Sequence, residues 1–430
     1  MKLYLYRSDV RIQPFDDEVA DAQVMLETLA ETQERACRKA GLQLQRVDSP
    51  DQAIERPCLL APDDLYFSEK ALADFLKACR KQGSATGARM ALARCASVEQ
   101  MLPLQEIELV DWQGDSGQAL YDLWYVPDGD LPEDKEQLRV TLATRCRPLT
   151  VAMREIVFPV RMPVIDEQQN TFLFPITSTI CCRIGHWTHL LWLSQMAFGV
   201  AWMEHARSHS VWAALKLLGS VAKERSINRW KVLGQMNVIG KDCDIHPTAY
   251  LEASIIGDGV RIGAGACVRN SLVGDSVTLA DHAVVLNAVV GRDCLLTENM
   301  FLVSSLCYPG SILGNIKTQM AVIGREVYLH GWCSLLDAKF VGDIKVLHKG
   351  KRVGTGRSFI ASCVGHRAVL SAKILIHPGR EIPNDMVLVS RPEDVIAEIP
   401  EDLAPMTPMV RHQGTLVPLE TLRKQSRKRS

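Results

Sequence analysis

Residues Ile239 to Met300 read IGKDCD IHPTAY LEASI, IGDGVR IGAGAC VRNSL, VGDSVT LADHAV VLNAV, VGRDCL LTENM. The leading aliphatics Ile239, Ile256, Val273 and Val290 stand seventeen residues apart, as do Ile245, Ile262, Leu279 and Leu296. One turn is therefore two steps of six residues and one of five, which describes a coil with three sides. A short strand on each side turns one aliphatic residue inward, and stacked turns build a continuous core. Gly240, Gly257, Gly274 and Gly291 follow the leading aliphatics, where a bend without Cβ is expected. Ala249, Ala266 and Ala283 mark an inner slot for small side chains, and Cys243 and Cys294 fall in the column of Val260 and Val277, so both cysteines read as core fillers.

Beyond this stretch the ladder falters after Leu302, resumes from Ile323 to Leu329, and breaks between Val341 and Arg357. A last turn runs through Val364, Leu370, Ile376 and Ile382, and the pattern is expected to stop after Pro383. Within the break, IKVLHKGKRVGTG alternates apolar and basic residues about Lys349-Gly350, which predicts a hairpin protruding from the coil. With ASIIG, NSLVG and NAVVG recurring, and KGKRVGTGRSFIASCVGH followed by HPGREIP, the region from Asn237 to Asp385 resembles the hexapeptide-repeat, left-handed β-helix family. Its seventeen-residue turn is similar to the sugar-nucleotide pyrophosphorylase branch, and its closing turns to bifunctional sugar-1-phosphate nucleotidyltransferase/acetyltransferases.

The resemblance implies a left-handed parallel β-helix and a transferase acting on a sugar phosphate or nucleotide sugar, with acyl transfer from acetyl-CoA or another acyl-CoA on the coil. The alternative it leaves open is a catalytically inactive scaffold or regulatory homologue. In the acetyltransferases a histidine serves as general base, which a near-neutral pKa suits. The stretch Gly314 to Gln319, where the sugar-acetylating motif would carry it, has no histidine. The candidates are then His330, His348, His366 and His377, with His366 and His348 foremost because Lys349, Lys351, Arg352 and Arg357 nearby suit a phosphate or the coenzyme A diphosphate. Relatives pack coils side by side, so a homotrimer is implied, with the ligand site near a subunit boundary.

The first half reads as α/β. Lys2–Tyr6 alternates as a strand, Glu18 to Ala40 and Ser68 to Lys81 have helical spacing, and Pro57–Pro62 is a buried strand ending in Asp63-Asp64. The run LLAPDDLYFSEKALADFL resembles the strand, acidic pair and helix of a nucleotidyltransferase domain. Those enzymes cradle a triphosphate in a glycine-rich loop after the first strand. Here no glycine precedes Gly41, so a degenerate nucleotidyltransferase-like domain without nucleotidyl transfer is expected, with Asp63 and Asp64 as a helix-capping turn and no metal.

The division expected is residues 1–180 for this domain, 181–235 for a helical connector, 236–390 for the coil and 391–430 for a tail. The connector holds Trp187, Trp192, Trp202 and Trp212 and reads as two apolar helices parted near Arg207 to Ser210: an interdomain or subunit contact, or a peripheral membrane contact through 186–218. His186 and His189 read as core or interface residues. The 49 basic and 50 acidic side chains nearly cancel, which excludes general attraction to nucleic acid. Thirteen cysteines without a CxxC pair, and no apolar leader after Met1, point to the cytoplasm. The basic tail holding Arg423, Lys424, Arg427, Lys428 and Arg429 is expected to be a solubilising end.

Overall fold

A computed structural model describes residues 1–161, 171–208, 236–396, 399 and 406–422, apart from 53, 84, 115, 315, 340, 413 and 414. Trp212 and the five cations of the tail from Arg423 to Arg429 lie outside the described residues.

The coil is a left-handed parallel β-helix of two- and three-residue strands. Its first sheet has eight strands, on which Ile239, Ile256, Val273, Val290, Cys307, Ile323, Val364 and Ile382 pair in succession. The second sheet stacks Ile245, Ile262, Leu279, Leu296, Leu313, Leu329, Leu370 and Leu388. The ladder therefore does not falter after Leu302. Cys307 and Thr318 occupy inward places there, both fully buried, and a sixteen-residue step from Cys307 to Ile323 hides the register. Nor does it stop at Pro383, since Leu388 adds a further strand. The small-residue slot also takes Met300, which is fully buried one turn after Ala283. The column glycines serve close approach: a Cβ on Gly257 would lie 2.8 Å from the backbone of Gly274. Positive φ falls two residues later, at Asp242, Gly259, Ser276 and Asp293.

The N-terminal domain is built on β1 (Lys2–Tyr6), β2 (Gln43–Val47), β3 (Cys58–Pro62), β4 (Gly87–Ala93), β5 (Gln118–Val126) and β6 (Cys146–Val151), in the sheet order β6-β4-β5-β3-β1-β2. Strand β5 runs antiparallel to β3 and β4; β2 and β3 flank β1 in parallel. Helix α1 (Leu29–Lys39) starts at a capping box of Thr28 and Glu31, so the helix expected from Glu18 begins eleven residues later. Residues 11–28 instead form two small hairpins. Helix α2 (Glu69–Gln82) is capped by Ser68, whose hydroxyl accepts from the Ala71 amide. Asp63 and Asp64 are thus not its cap: Asp63 accepts from the Ser8 amide at 2.9 Å, and Asp64 pairs with Arg183.

Helices α3 (Trp187–Gln195) and α4 (Ala197–Ser208) part at Met196, a break the sequence reading did not foresee, beside which the Ser194 hydroxyl donates to the Leu191 carbonyl; of the break expected near Arg207 to Ser210, the residues from 209 lie outside the described residues. Trp187 and Trp192 are fully buried, because α3 packs on the outer face of the first sheet in one cluster with Leu272, Val289, Leu306, Val322 and Cys363. Of the readings left open for these two tryptophans, the interdomain contact is the one observed: buried between the chain's own halves, they offer no membrane or subunit surface. Each aliphatic side chain so covered is worth about 1.5–3 kcal/mol.

Val273 is fully buried at the centre of the coil. The Val273→Asp variant is expected to lose several kcal/mol and with it the coil's melting transition, read by circular dichroism; wild-type melting would contradict the stacking.

Candidate functional site

In an open α/β sheet, ligands bind outside the carboxyl ends of the strands where the chain reverses its direction of travel across the sheet. The chain passes from β1 to β2 on one side and returns to β3 on the other, so that point lies at the ends of β1 and β3. A cleft of about 410 Å³ opens there, lined by Asp9, Val10, Arg11 and Gln13 after β1 and by Asp64 after β3. Its other walls are Leu104, Gln105 and Glu106, the entry to α3 with Arg183, Gly185, His186 and His189, and Leu347 to Gly350 of the coil.

The hairpin Lys345–His348/Lys351–Gly354 forms about Lys349-Gly350 as the alternation predicts. It does not protrude into solvent: it lies on the N-terminal domain and presents His348 and Lys349 to the cleft. Its base is bolted by Glu381, whose carboxylate accepts from the Leu347 amide and the Trp187 indole at 3.1 Å each and from Arg352 at 3.3 Å.

Asp64 is buried, donates nothing and accepts from Arg183 Nε at 2.9 Å through Oδ2, while Oδ1 has no partner among the described residues. Burial pushes its carboxyl up to about 6, against the pull of the Arg183 guanidinium. His186 and His189 are buried and fully engaged. Each Nδ1 accepts a backbone amide, from Thr188 and Gly185, and each Nε2 donates to a carbonyl, of Leu347 at 3.1 Å and Pro103 at 2.9 Å. Burial lowers them to about 3 and about 4. His348 is lowered as well, by burial and by Lys349, which favours the neutral imidazole. Its ring has no hydrogen bond among the described residues. No group of three or more His, Cys, Asp or Glu suited to a metal occurs among the described residues.

The candidates read from sequence are dispersed. His348 and Lys349 line the cleft. His366 lies between the chain's own domains, 3% exposed and stacked on Phe15 at 4.6 Å, with Nδ1 accepting from the Arg325 amide and Nε2 facing Asp17 at 3.2 Å. Arg357 donates to the carbonyls of Glu99 and Gln100 and Arg352 to Gly379, whereas Lys351 is exposed. His330 and His377 are exposed on the coil. The sequence reading missed Arg183 and Glu106 because both reach the cleft from distant segments. One signal was available: residues 8–28 carry Val10, Ile12, Phe15, Val19 and Val24 where a phosphate loop would be glycine-rich, and a loop that apolar has to be buried.

The sequence profile of the GMPPB C-terminal domain matches residues 219–323. The chain thus resembles hexapeptide-repeat β-helix proteins, including the C-terminal domains of sugar nucleotidyltransferases. No curated protein is significantly similar to it. Among solved structures, a Bacillus cereus protein with an acetyltransferase assignment is 11% identical, with 45% of this chain and 91% of that one covered and a TM-score of 0.20. The GDP-perosamine N-acetyltransferase of Caulobacter crescentus, in complex with CoA and GDP-perosamine, is 18% identical over 35% of this chain and 52% of its own, with a TM-score of 0.18. The UDP-N-acetylglucosamine acyltransferase of Campylobacter jejuni is 15% identical over 36% and 67%, with a TM-score of 0.16. None of these carries an activity to this chain. Among the described residues no helix is long and apolar enough to cross a membrane.

Since the folded pKa values of His186 and His189 lie below the unfolded value of 6.5, the unfolded chain binds the extra protons as pH falls through that window. Stability present above pH 6.5 is lost on acidification; Asp64, raised to about 6, works in the opposite direction over part of the range. The melting temperature should therefore drop from pH 7 to pH 4.5, and drop less steeply in a His186→Gln, His189→Gln variant. Superimposable pH profiles would contradict the assignment.

Proposed function

We propose that the chain is a transferase acting on a sugar phosphate or nucleotide sugar held in this cleft, with an acyl-CoA as donor. The observation that carries the reading is the buried, unpartnered Oδ1 of Asp64 on the cleft wall, at the carboxyl end of a central strand. A sugar hydroxyl would satisfy it, and an orphaned buried carboxylate oxygen otherwise costs free energy. Val10, Leu104 and Leu347 offer apolar walls to a pyranose face. His348 is the general base: it lines the cleft with ring nitrogens that make no hydrogen bond among the described residues, whereas His366 is buried between the domains and His330 and His377 lie on the coil away from the cleft. It takes the proton from an acceptor hydroxyl or amine as that atom bonds the thioester carbonyl carbon. The carbon–sulfur bond then breaks and the proton passes to the leaving thiolate. Lys351 and Lys345, exposed on the same hairpin, would hold the donor's diphosphate.

We infer further that chains associate, in a trimer, through the second sheet, whose outer column turns from Asp244, Arg261 and Thr278 to the partly exposed apolar side chains Leu295, Ile312, Tyr328, Val369 and Val387. Light scattering at micromolar concentration tests this, and a monomer would end it.

With radiolabelled acetyl-CoA and a panel of hexose phosphates and nucleotide sugars, wild-type transfer is expected to fall about 100-fold or more in His348→Ala, with binding by calorimetry preserved. Equal rates would remove His348 from the chemistry. Binding without transfer in the wild type would identify the non-enzymatic alternative, a sugar-phosphate-binding scaffold.

A further inference from the structure

The ion pair that spans the mouth of the cleft joins the two halves of the chain: Lys349 from the tip of the coil's hairpin, and Glu106 from the N-terminal domain. The two are 243 positions apart, and among the described residues no other ion pair ties the hairpin's tip. Asp64 and Arg183 form a buried pair; the exposed Asp9 and Arg11 pair within the N-terminal domain, with Arg7 and Lys135 and with Asp16 and Glu18; the Lys349 and Glu106 side chains, 67% and 56% exposed, pair between the two halves. An ion pair that exposed contributes little to stability. Lys349 is nevertheless well aimed. It occupies the first place of a two-residue turn with φ of 49° followed by Gly350 at 75°, so the ammonium is carried on a tight turn whose base is fixed by Glu381 and Arg357.

We propose that Lys349 is the residue by which the cleft selects a phosphorylated ligand, and that Glu106 is the internal stand-in whose carboxylate the phosphate displaces. This deepens the sugar-phosphate reading above and rests on it for the identity of the rest of the ligand. A phosphate dianion offers the ammonium more charge and more acceptor oxygens than one carboxylate. The exchange leaves Glu106 in water, where an exposed carboxylate is hydrated at little cost. A neutral sugar offers Lys349 only uncharged hydroxyl acceptors, too weak to displace a carboxylate, and leaves the pair closed. The pull of Lys349 on Glu106, which holds the carboxyl below its ordinary range, is consistent with the contact. The site is then incomplete in either half alone: the N-terminal domain supplies the acceptor for the hydroxyl, and the coil supplies the cation for the phosphate.

The test is calorimetric titration of the full chain with inorganic phosphate, glucose 1-phosphate and glucose. Glu106→Gln removes the competitor and is expected to tighten phosphate and glucose 1-phosphate about three- to tenfold. Lys349→Met should weaken both at least tenfold and abolish their dependence on Glu106, and glucose should respond to neither substitution. Unchanged or weakened phosphate binding in Glu106→Gln would overturn the proposal, as would unchanged binding in Lys349→Met. A chain that binds inorganic phosphate with these responses but gains nothing from the sugar would keep Lys349 and Glu106 in their roles and remove the sugar-phosphate reading. Circular dichroism of each variant excludes misfolding, since both side chains are exposed.

Discussion

The burial of the coil's first sheet on both faces is the constraint from which the remaining arrangement follows. Its inner column forms the coil's own core; its outer column, Leu272, Val289, Leu306, Val322 and Cys363, is as apolar as the inner one and would be a hydrophobic stripe in water. Helix α3 covers it with Trp187, Leu190 and Leu191. Because α3 is tied through Arg183 to Asp64 and through His189 to Pro103, covering the stripe also fixes the N-terminal sheet against the coil. The second sheet, and the third formed by Tyr250–Glu252, Cys267–Arg269, Val284–Leu286, Phe301–Val303 and Lys317–Gln319, have no such cover within the described residues, and their outer columns mix apolar with charged or polar side chains.

The loop after β1 shows what this constraint did to the chemistry. Tyr308 stands in the column that glycine holds at Gly274, Gly291, Gly324 and Gly365, and its ring points away from the coil into the N-terminal domain. Its hydroxyl accepts from the Gln23 amide at 2.9 Å, and Phe15 and His366 pack on its ring. Arg325 pairs with Asp17 beside them. A loop committed to such an interface cannot present a row of free amides to a triphosphate. The absence of the glycine loop and the presence of this contact are one fact seen from two sides: the segment holds the domains together.

A consequence is that the cleft belongs to both halves. In a two-domain protein with an independent catalytic head, the coil would be remote from the ends of β1 and β3. Here twenty or so residues inserted before the last turns of the coil fold back as a hairpin and close one wall. Glu381, the carboxylate at the end of an otherwise apolar outer column, anchors that hairpin and the tryptophan of α3 at once. Three histidines gather where the pieces meet, and burial lowers the pKa of each.

Local spacing in the sequence determined the coil, its three sides and the hairpin, because each depends on residues six, five or two positions apart. It also held a sign of the covered face that the period alone obscured: the doublets Ile255-Ile256, Leu272-Val273, Val289-Val290 and Val322-Ile323 are apolar on both sides of the strand, which only a covered sheet tolerates. His348 and Lys349 were legible as residues of a basic hairpin, and Asp64 as an acid at a strand end. Their meeting was not legible. Asp64 meets Arg183, Lys349 meets Glu106, and His366 meets Asp17 across 119, 243 and 349 positions. Such contacts depend on how an entire apolar face is buried, a property no short window of sequence contains. The same docking that brought His348 to the cleft removed His366 from solvent, so two histidines that look alike in the chain came to have opposite surroundings.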